Sequence, residues 1–234
     1  MKDEQLLNNI KDVYRRISHA AMKAGRSPDE IRLIAVTKNI ESNIIKKAVE
    51  IGLREFGENR IQEAQRKISD FRFQISDSDV KWHFVGHLQK NKAKYAVDLF
   101  DLIHSVDSVE LSQEINKQAE KNGKIQKILL QVKLSDEAAK HGIIKGKYID
   151  LIRAVSSMKN LSIEGLMTIP PFFDSPEMTR PFFRELRKIR DESEGLGFRL
   201  PELSMGMTGD FEVAIEEGAT MVRIGTAIFG ERRK

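Results

Sequence analysis

The sequence predicts a (β/α)8 barrel, and three observations carry that expectation. Eight short apolar runs of strand length recur along the chain, segments of helical period separate them, and the alternation occupies nearly all of the 234 residues. Eight such units over about 200 residues is the arithmetic of a closed parallel barrel at the small end of its range. An open doubly wound sheet is the alternative this pattern leaves. No Gly/Ser-rich linker, composition shift or low-complexity tract marks a boundary, so a single domain over residues 1–234 is expected.

The first element is an amphipathic helix over 3–24. Leu6, Leu7, Ile10, Val13, Tyr14, Ile17, Ala21 and Ala24 recur at helical spacing, and Gly25 supplies the stop. After Ser27-Pro28-Asp29-Glu30 the pattern changes to an apolar strand that ends at Lys38. The expected strands are 31–37, 54–57, 81–86, 101–105, 126–132, 162–167, 202–205 and 220–224, with helices that include Ile44–Ile51, Ile61–Ile68, Val109–Lys121 and Phe182–Glu194. Pro181 suits the first turn of the last of these, where a missing N–H costs little. The segment Pro170–Pro176 reads as a rim excursion after the sixth strand.

Composition excludes several classes. With no cysteine, disulfides, thiol nucleophiles and thiolate metal sites are ruled out. No apolar run approaches the roughly 18 residues of a membrane span, and the N-terminus lacks a secretory pattern, so a cytoplasmic protein without a membrane partner is expected. The net charge of +4 is a mild excess of interspersed Lys and Arg. It suits anionic ligands and falls short of a nucleic-acid-binding signature. The basic runs Lys90–Lys94 and Arg232–Lys234 read as a solvated face and a solvated tail.

In a barrel of this kind, chemistry belongs at the C-terminal strand ends. Those positions hold Lys38, Asn59, Gly86 with His87, Ser105, Met167, Ser204 to Thr208, and Gly225 with Thr226. A partly desolvated lysine at a strand end can form an imine with an aldehyde, although a solvent lysine is the simpler reading of that position alone. The loops after the seventh and eighth strands, Ser204–Asp210 and Arg223–Thr226, stand where such barrels hold phosphate. Arg223 shares the side of Gly225 because strand side chains alternate, which directs it either into the barrel or, in the opposite phase, toward a helix carboxylate. An imine-forming lysine facing an anion cradle outlines a site for pyridoxal 5′-phosphate (PLP). Asn59 reads equally as a helix cap. His83 and His87, four apart on a strand and turn, lack an evident third ligand, so no metal site is expected.

These segments carry a resemblance. Leu33–Lys38, Phe56–Asn59, Trp82–Lys92, Glu164–Met167, Leu203–Thr208, Val222–Thr226 and Phe229–Arg232 stand in the order and spacing of the YggS/PROSC family, the PLP homeostasis proteins. The resemblance spans nearly the whole chain. It implies a fold-type III barrel like the alanine racemase N-terminal domain, carrying PLP as a Schiff base on Lys38. It further implies phosphate contacts from the Ser204 and Gly225–Thr226 regions with Thr208 nearby, Arg223 facing the pyridine nitrogen, and Asn59 as a further cofactor contact. Thr208 stands where serine is common, and Val132–Glu137 is a looser version of the family's fifth-strand region, which leaves any role there open.

The implied function is a carrier or buffer in intracellular vitamin B6 homeostasis, a monomer with apo-PLP enzymes as recipients and no nucleic-acid partner. An arginine beside the pyridine nitrogen disfavours its protonation and weakens the ring as an electron sink. The related racemase also uses a tyrosine from a separate β domain. Here Tyr14, Tyr95 and Tyr148 are the tyrosines present, none at an expected strand end, and the chain ends near the last barrel element. No catalytic residue is therefore assigned and no racemase activity is expected. A PLP-dependent racemase or decarboxylase completed by a partner residue is the alternative. A nucleic-acid-binding or scaffold protein using the basic runs is a second one.

Overall fold

The computed structural model describes residues 3–74, 80–135, 137 and 141–231, with the side chains of 71–74 left aside. Its strands are β1 (Arg32–Val36), β2 (Glu55–Glu58), β3 (Lys81–Phe84), β4 (Leu102–Val106), β5 (Gln126–Lys133), β6 (Ile143–Ile144), β7 (Leu161–Met167), β8 (Glu202–Met207) and β9 (Met221–Ile224). All except β6 form a closed parallel ring. β9 pairs with β1, bringing Ile34 opposite Arg223, and β4 pairs with β5, bringing Ile103 opposite Ile128. The ring is the (β/α)8 barrel that the alternation predicts. β6 is an addition, a two-residue strand on the C-terminal part of β5 with Val132 opposite Ile143.

The helices are α1 (Asp3–Lys23), α2 (Ser42–Glu50), α3 (Ile61–Gln74), α4 (Ala93–Leu99), α5 (Val109–Lys121), α6 (Tyr148–Ser156), α7 (Arg180–Gly195), α8 (Phe211–Glu216) and α9 (Thr226–Phe229). α1 precedes the first strand and lies across the last helices. Its Asn9 amide donates to the Ile228 carbonyl at 2.9 Å, and Arg26, just beyond its end, donates to the Ala219 carbonyl at 2.8 Å. A reciprocal capping box between Ser27 and Glu30 then forms a single 3-10 turn that feeds β1. Elements such as α8, α9 and β6 have too few residues to display a period, which is why the pattern does not announce them. The basic tail Arg232–Lys234 and Asp136 lie outside the described residues. Among the described residues no helix is long and apolar enough to cross a membrane.

Two apolar layers hold the ring. The larger lies between strands and helices and includes Phe56, Phe84, Ile103, Ile115, Leu186 and Phe211. The smaller fills the barrel with Ile34, Leu102, Leu129, Met167 and Met221. Met167, expected at the mouth, is part of this plug because its position on β7 points inward and deep. Ser105 is likewise buried and does not line the barrel mouth; the register of β4 against β5 shifts between Ile103 and Val106. Beside the plug the interior is polar, with His83, His104, Ser204 and Arg223 all buried; His83 pairs with Leu102 and Arg223 with Ile34.

β7 and β8 approach closely at Gly165, paired with Glu202. A Cβ there would stand 1.9 Å from the Glu202 carbonyl oxygen, a backbone atom no rotamer change can move. Gly165→Ala is expected to cost about 3 kcal/mol of stability by forcing the strands apart. Urea unfolding measures this, and a loss near zero would mean the two strands have slack.

Candidate functional site

A cavity of about 920 Å³ opens at the C-terminal ends of the strands. Lys38 enters it from β1, Asn59 from β2, Gly86 and His87 from β3, Thr208 from β8, and Arg223, Gly225 and Thr226 from β9. The segment Pro170–Pro176 forms part of its wall as expected, with Phe172 almost fully exposed on the rim. The sequence-predicted site residues therefore converge, apart from Ser204.

Lys38 follows the end of β1 and is held on both sides. The Thr37 N–H donates to the Gly57 carbonyl at 2.9 Å, and the Thr37 hydroxyl donates to Glu58 Oε1 at 2.6 Å. Its carbonyl accepts from Lys67 Nζ at 2.5 Å. On the other side Asn39 takes a left-handed conformation, φ 61°, which asparagine tolerates, and its N–H donates to Glu63 at 2.5 Å. Lys67, from α3, also bonds Glu58 at 2.7 Å and Glu63 at 2.6 Å, so one buried ammonium joins both supports of Lys38. Burial raises the Glu58 carboxyl, against the pull of Lys67.

Arg223 points into the barrel, not outward. It is 4% exposed, and its guanidinium donates to the Ser204 hydroxyl at 2.6 Å and the Thr168 carbonyl at 3.0 Å. Burial lowers it to about 10, with Asp210 pulling the other way, so it remains a cation at neutral pH. Behind it runs a polar chain. Ser204 Oγ is 2.9 Å from His104 Nδ1, His104 Nε2 is 2.9 Å from His83 Nδ1, and His83 Nε2 is 3.2 Å from Glu55 Oε2. That last step is an oblique electrostatic contact rather than an aligned hydrogen bond.

Burial, with His83 and Arg223 nearby, drives His104 well below 6.5, so its ring is neutral. Burial also opposes ionisation of Glu55, but His83 and Arg32 outweigh it and keep a carboxylate. Arg223 can only donate, and the neutral His104 ring offers one donor and one acceptor, so one set of directions serves the chain. Ser204 donates to His104, His104 to His83, and the His83 Nε2–H faces Glu55. The chain thus runs in one direction, from guanidinium to carboxylate. Ser204, expected to hold phosphate, is instead committed to this chain; it is fully buried and does not line the cavity.

The remaining predicted residues face the cavity. The loop after β8 folds back on itself, with Met207 N–H donating to Asp210 Oδ1 at 2.6 Å and Thr208 and Gly209 at the cavity wall. Burial raises the Asp210 carboxyl. Asn59 Oδ1 is buried with no hydrogen-bond partner, so it does not cap α3. Gly86 fixes the asparagine's backbone by contact, because a Cβ there would meet the Asn59 carbonyl oxygen at 2.2 Å.

The sequence reading missed the supports. Lys67 lies on the buried face of α3 beside Ala64 and Ile68, and a lysine on an apolar stripe is a detectable signal. His104 shares the inward phase of β4 with Leu102, which is also legible. His83 and His87, four apart in sequence, are not brought together. His83 is inside the barrel, while His87 sits at the rim, stacked on His141.

A closed parallel barrel with a lysine after its first strand, a buried arginine on the adjoining last strand and hydroxyl-bearing loops after its last two strands is a barrel protein built for a phosphorylated ligand. The model of the alanine racemase N-terminal domain matches residues 7–233. The chain is 43% identical over 225 residues to the pyridoxal phosphate homeostasis protein of Aquifex aeolicus (strain VF5), covering 96% of this chain and 97% of that one. It is 39% identical over 230 residues to the protein of that name from Escherichia coli (strain K12), covering 97% of each. The structure of PipY of Synechococcus elongatus PCC7942, with PLP bound, superposes with a TM-score of 0.80 at 37% identity, covering 92% of this chain and all of that one. The chain belongs to the alanine racemase N-terminal domain family and, within it, to the pyridoxal phosphate homeostasis proteins.

Replacing Lys67 by methionine leaves the Glu58 carboxylate buried and unpaired. The expected loss is about 3–5 kcal/mol in urea unfolding; a loss under about 1 kcal/mol would mean that the ammonium does not hold this corner.

His104 sets an acid limit. The fold keeps its ring neutral where an unfolded imidazole, with a pKa of 6.5, takes a proton. Below about pH 6.5 the unfolded chain binds more protons, so stability falls with pH by up to about 1.4 kcal/mol per unit. The slope is read as the difference between wild type and His104→Gln in unfolding measurements at several pH values. Parallel curves would show that His104 takes up its proton within the fold.

Proposed function

We propose that this chain binds PLP in the barrel-mouth cavity, anchors its aldehyde on Lys38, and acts as a carrier in PLP homeostasis rather than as a catalyst. The observation that carries this reading is the clamped strand end. Lys67, Thr37, Glu58 and Glu63 hold the backbone on either side of Lys38, which lines a cavity shared with a buried arginine cation on the adjoining strand. The residues fit the group. Asn59 presents an unpartnered buried oxygen, Thr208 and Thr226 supply hydroxyls, and Gly209 and Gly225 leave backbone accessible at the wall.

When bound, PLP would supply a reactive aldehyde and an electron-withdrawing ring. Thr208, Gly225 and Thr226 would hold the phosphate, and Asn59 would add a polar contact. Arg223 would face the pyridine nitrogen, where its charge disfavours a second positive charge. Ser204 takes an indirect part by accepting from Arg223 and so fixing its direction. Among the described residues no tyrosine lines the cavity, and Tyr148 is engaged with Glu192 at 2.8 Å. That supports holding and release over racemisation. A monomer in the cytoplasm, working as one domain and releasing PLP to apo-enzymes, completes the proposal.

The test is borohydride reduction of the PLP-loaded protein followed by peptide mapping. A phosphopyridoxyl adduct on Lys38 is expected. Lys38→Ala should lose that adduct and at least about tenfold in affinity, a cost of roughly 1.4 kcal/mol, while weak phosphate-anchored binding persists. No adduct on the wild type would overturn the reading. Sustained turnover of any amino acid in a broad panel, lost in Lys38→Ala, would replace the carrier with an enzyme.

A further inference from the structure

We propose that His87, Asp107 and His141 form a binding site for one divalent transition-metal ion of the zinc, cobalt and nickel class at the rim of the barrel mouth. Each residue offers one ligand atom, and these atoms all lie within 4.8 Å of one another. They come from three connections at the same end of the barrel: His87 follows β3, Asp107 follows β4, and His141 precedes β6. Their separation in sequence hides the set from any spacing motif.

The donor chemistry selects the ion. Two imidazoles and one carboxylate suit zinc, nickel, cobalt and ferrous iron, whereas magnesium and calcium favour oxygen-rich sets. The imidazole rings of His87 and His141 stack with centroids 3.5 Å apart and planes 10° apart, an arrangement that two imidazolium cations would resist. Ligand bonds of about 2.0–2.2 Å bring ligand atoms within roughly 3.5 Å of each other, so the three must close by about 1 Å. His87 and His141 are exposed and Asp107 half-buried, so side-chain rotation suffices for this closure.

The backbones beneath them are held. Gly86 packs against Asn59 immediately before His87. The His141 carbonyl accepts from Gln131 Nε2 at 3.0 Å. Asp107 stands between the end of β4 and Ser108, whose hydroxyl caps α5 by accepting from Leu111 N–H. Three protein ligands leave at least one coordination position open, as metal sites with an exchangeable ligand do. An ion there would tie three barrel connections together and add positive charge at the mouth, since His87 and His141 also line the cavity.

The experiment titrates untagged, PLP-free, full-length protein with Co(II) alone and follows its visible d–d bands. Saturable binding of one equivalent is expected, displaced by Zn(II) and weakened as the pH falls through the imidazole range. His87→Gln, Asp107→Asn and His141→Gln should each lower affinity at least about tenfold. These side chains are not in the core, and unchanged circular dichroism checks that each variant folds. Lys38→Ala should bind Co(II) as the wild type does, which separates this site from the cofactor reading. Absence of a saturable band overturns the proposal. So does a band unchanged in the His87→Gln/His141→Gln double variant, which would mean an adventitious ion elsewhere.

Discussion

The Lys67 ammonium is buried among Glu58, Glu63 and the Thr37 carbonyl, and the geometry at the barrel mouth depends on it. A lone charge at that depth would be strongly unfavourable, as would the Glu58 carboxylate without it. Together they form a cluster whose members have little freedom to move. One consequence is mechanical: the backbone on either side of Lys38 is tied to α3 and β2 rather than left as a loop end. An amine that meets an aldehyde in a fixed direction needs such a support, because loose positioning lowers the effective concentration of the reacting group.

A second constraint crosses the barrel. An arginine cation inside a closed ring needs acceptors, and Arg223 finds Ser204 and the Thr168 carbonyl. Ser204 then needs an acceptor of its own, and the requirement passes through His104 and His83 toward Glu55 near the other end of the strands. A neutral His104 serves the chain with one donor and one acceptor, while a protonated ring in the middle would break its direction. The apolar plug of Ile34, Leu102, Leu129, Met167 and Met221 shares the interior with this chain. The barrel therefore combines packing with a polar column that orients Arg223.

The two arrangements meet at the cavity on adjoining strands, Lys38 after β1 and Arg223 on β9. Closure of the ring makes them neighbours, although they stand near opposite ends of the chain. Rim residues add a third layer. The phenylalanine-bearing excursion after β7 and the His87–His141 stack both border the opening. Catalytic and binding groups on loops over a rigid strand scaffold are the general pattern of this architecture.

The alternation of period-2 and helical segments determined the barrel, because eight repeated units admit few closed parallel arrangements. Local chemistry also marked Lys38, Asn59, Thr208, Arg223, Gly225 and Thr226, since strand ends can be read from apolar runs and barrel strand ends converge on one face. Tertiary structure alone decided which hydroxyl turns inward to brace Arg223 and which faces the cavity. Ser204 and Thr208 are both plausible phosphate donors in sequence, but their positions along and beyond β8 direct them differently. It also decided the partners of Lys67 and the company of His87. Those contacts join residues from separate connections, and pairings of that kind arise only when strand register and ring closure set distances in space.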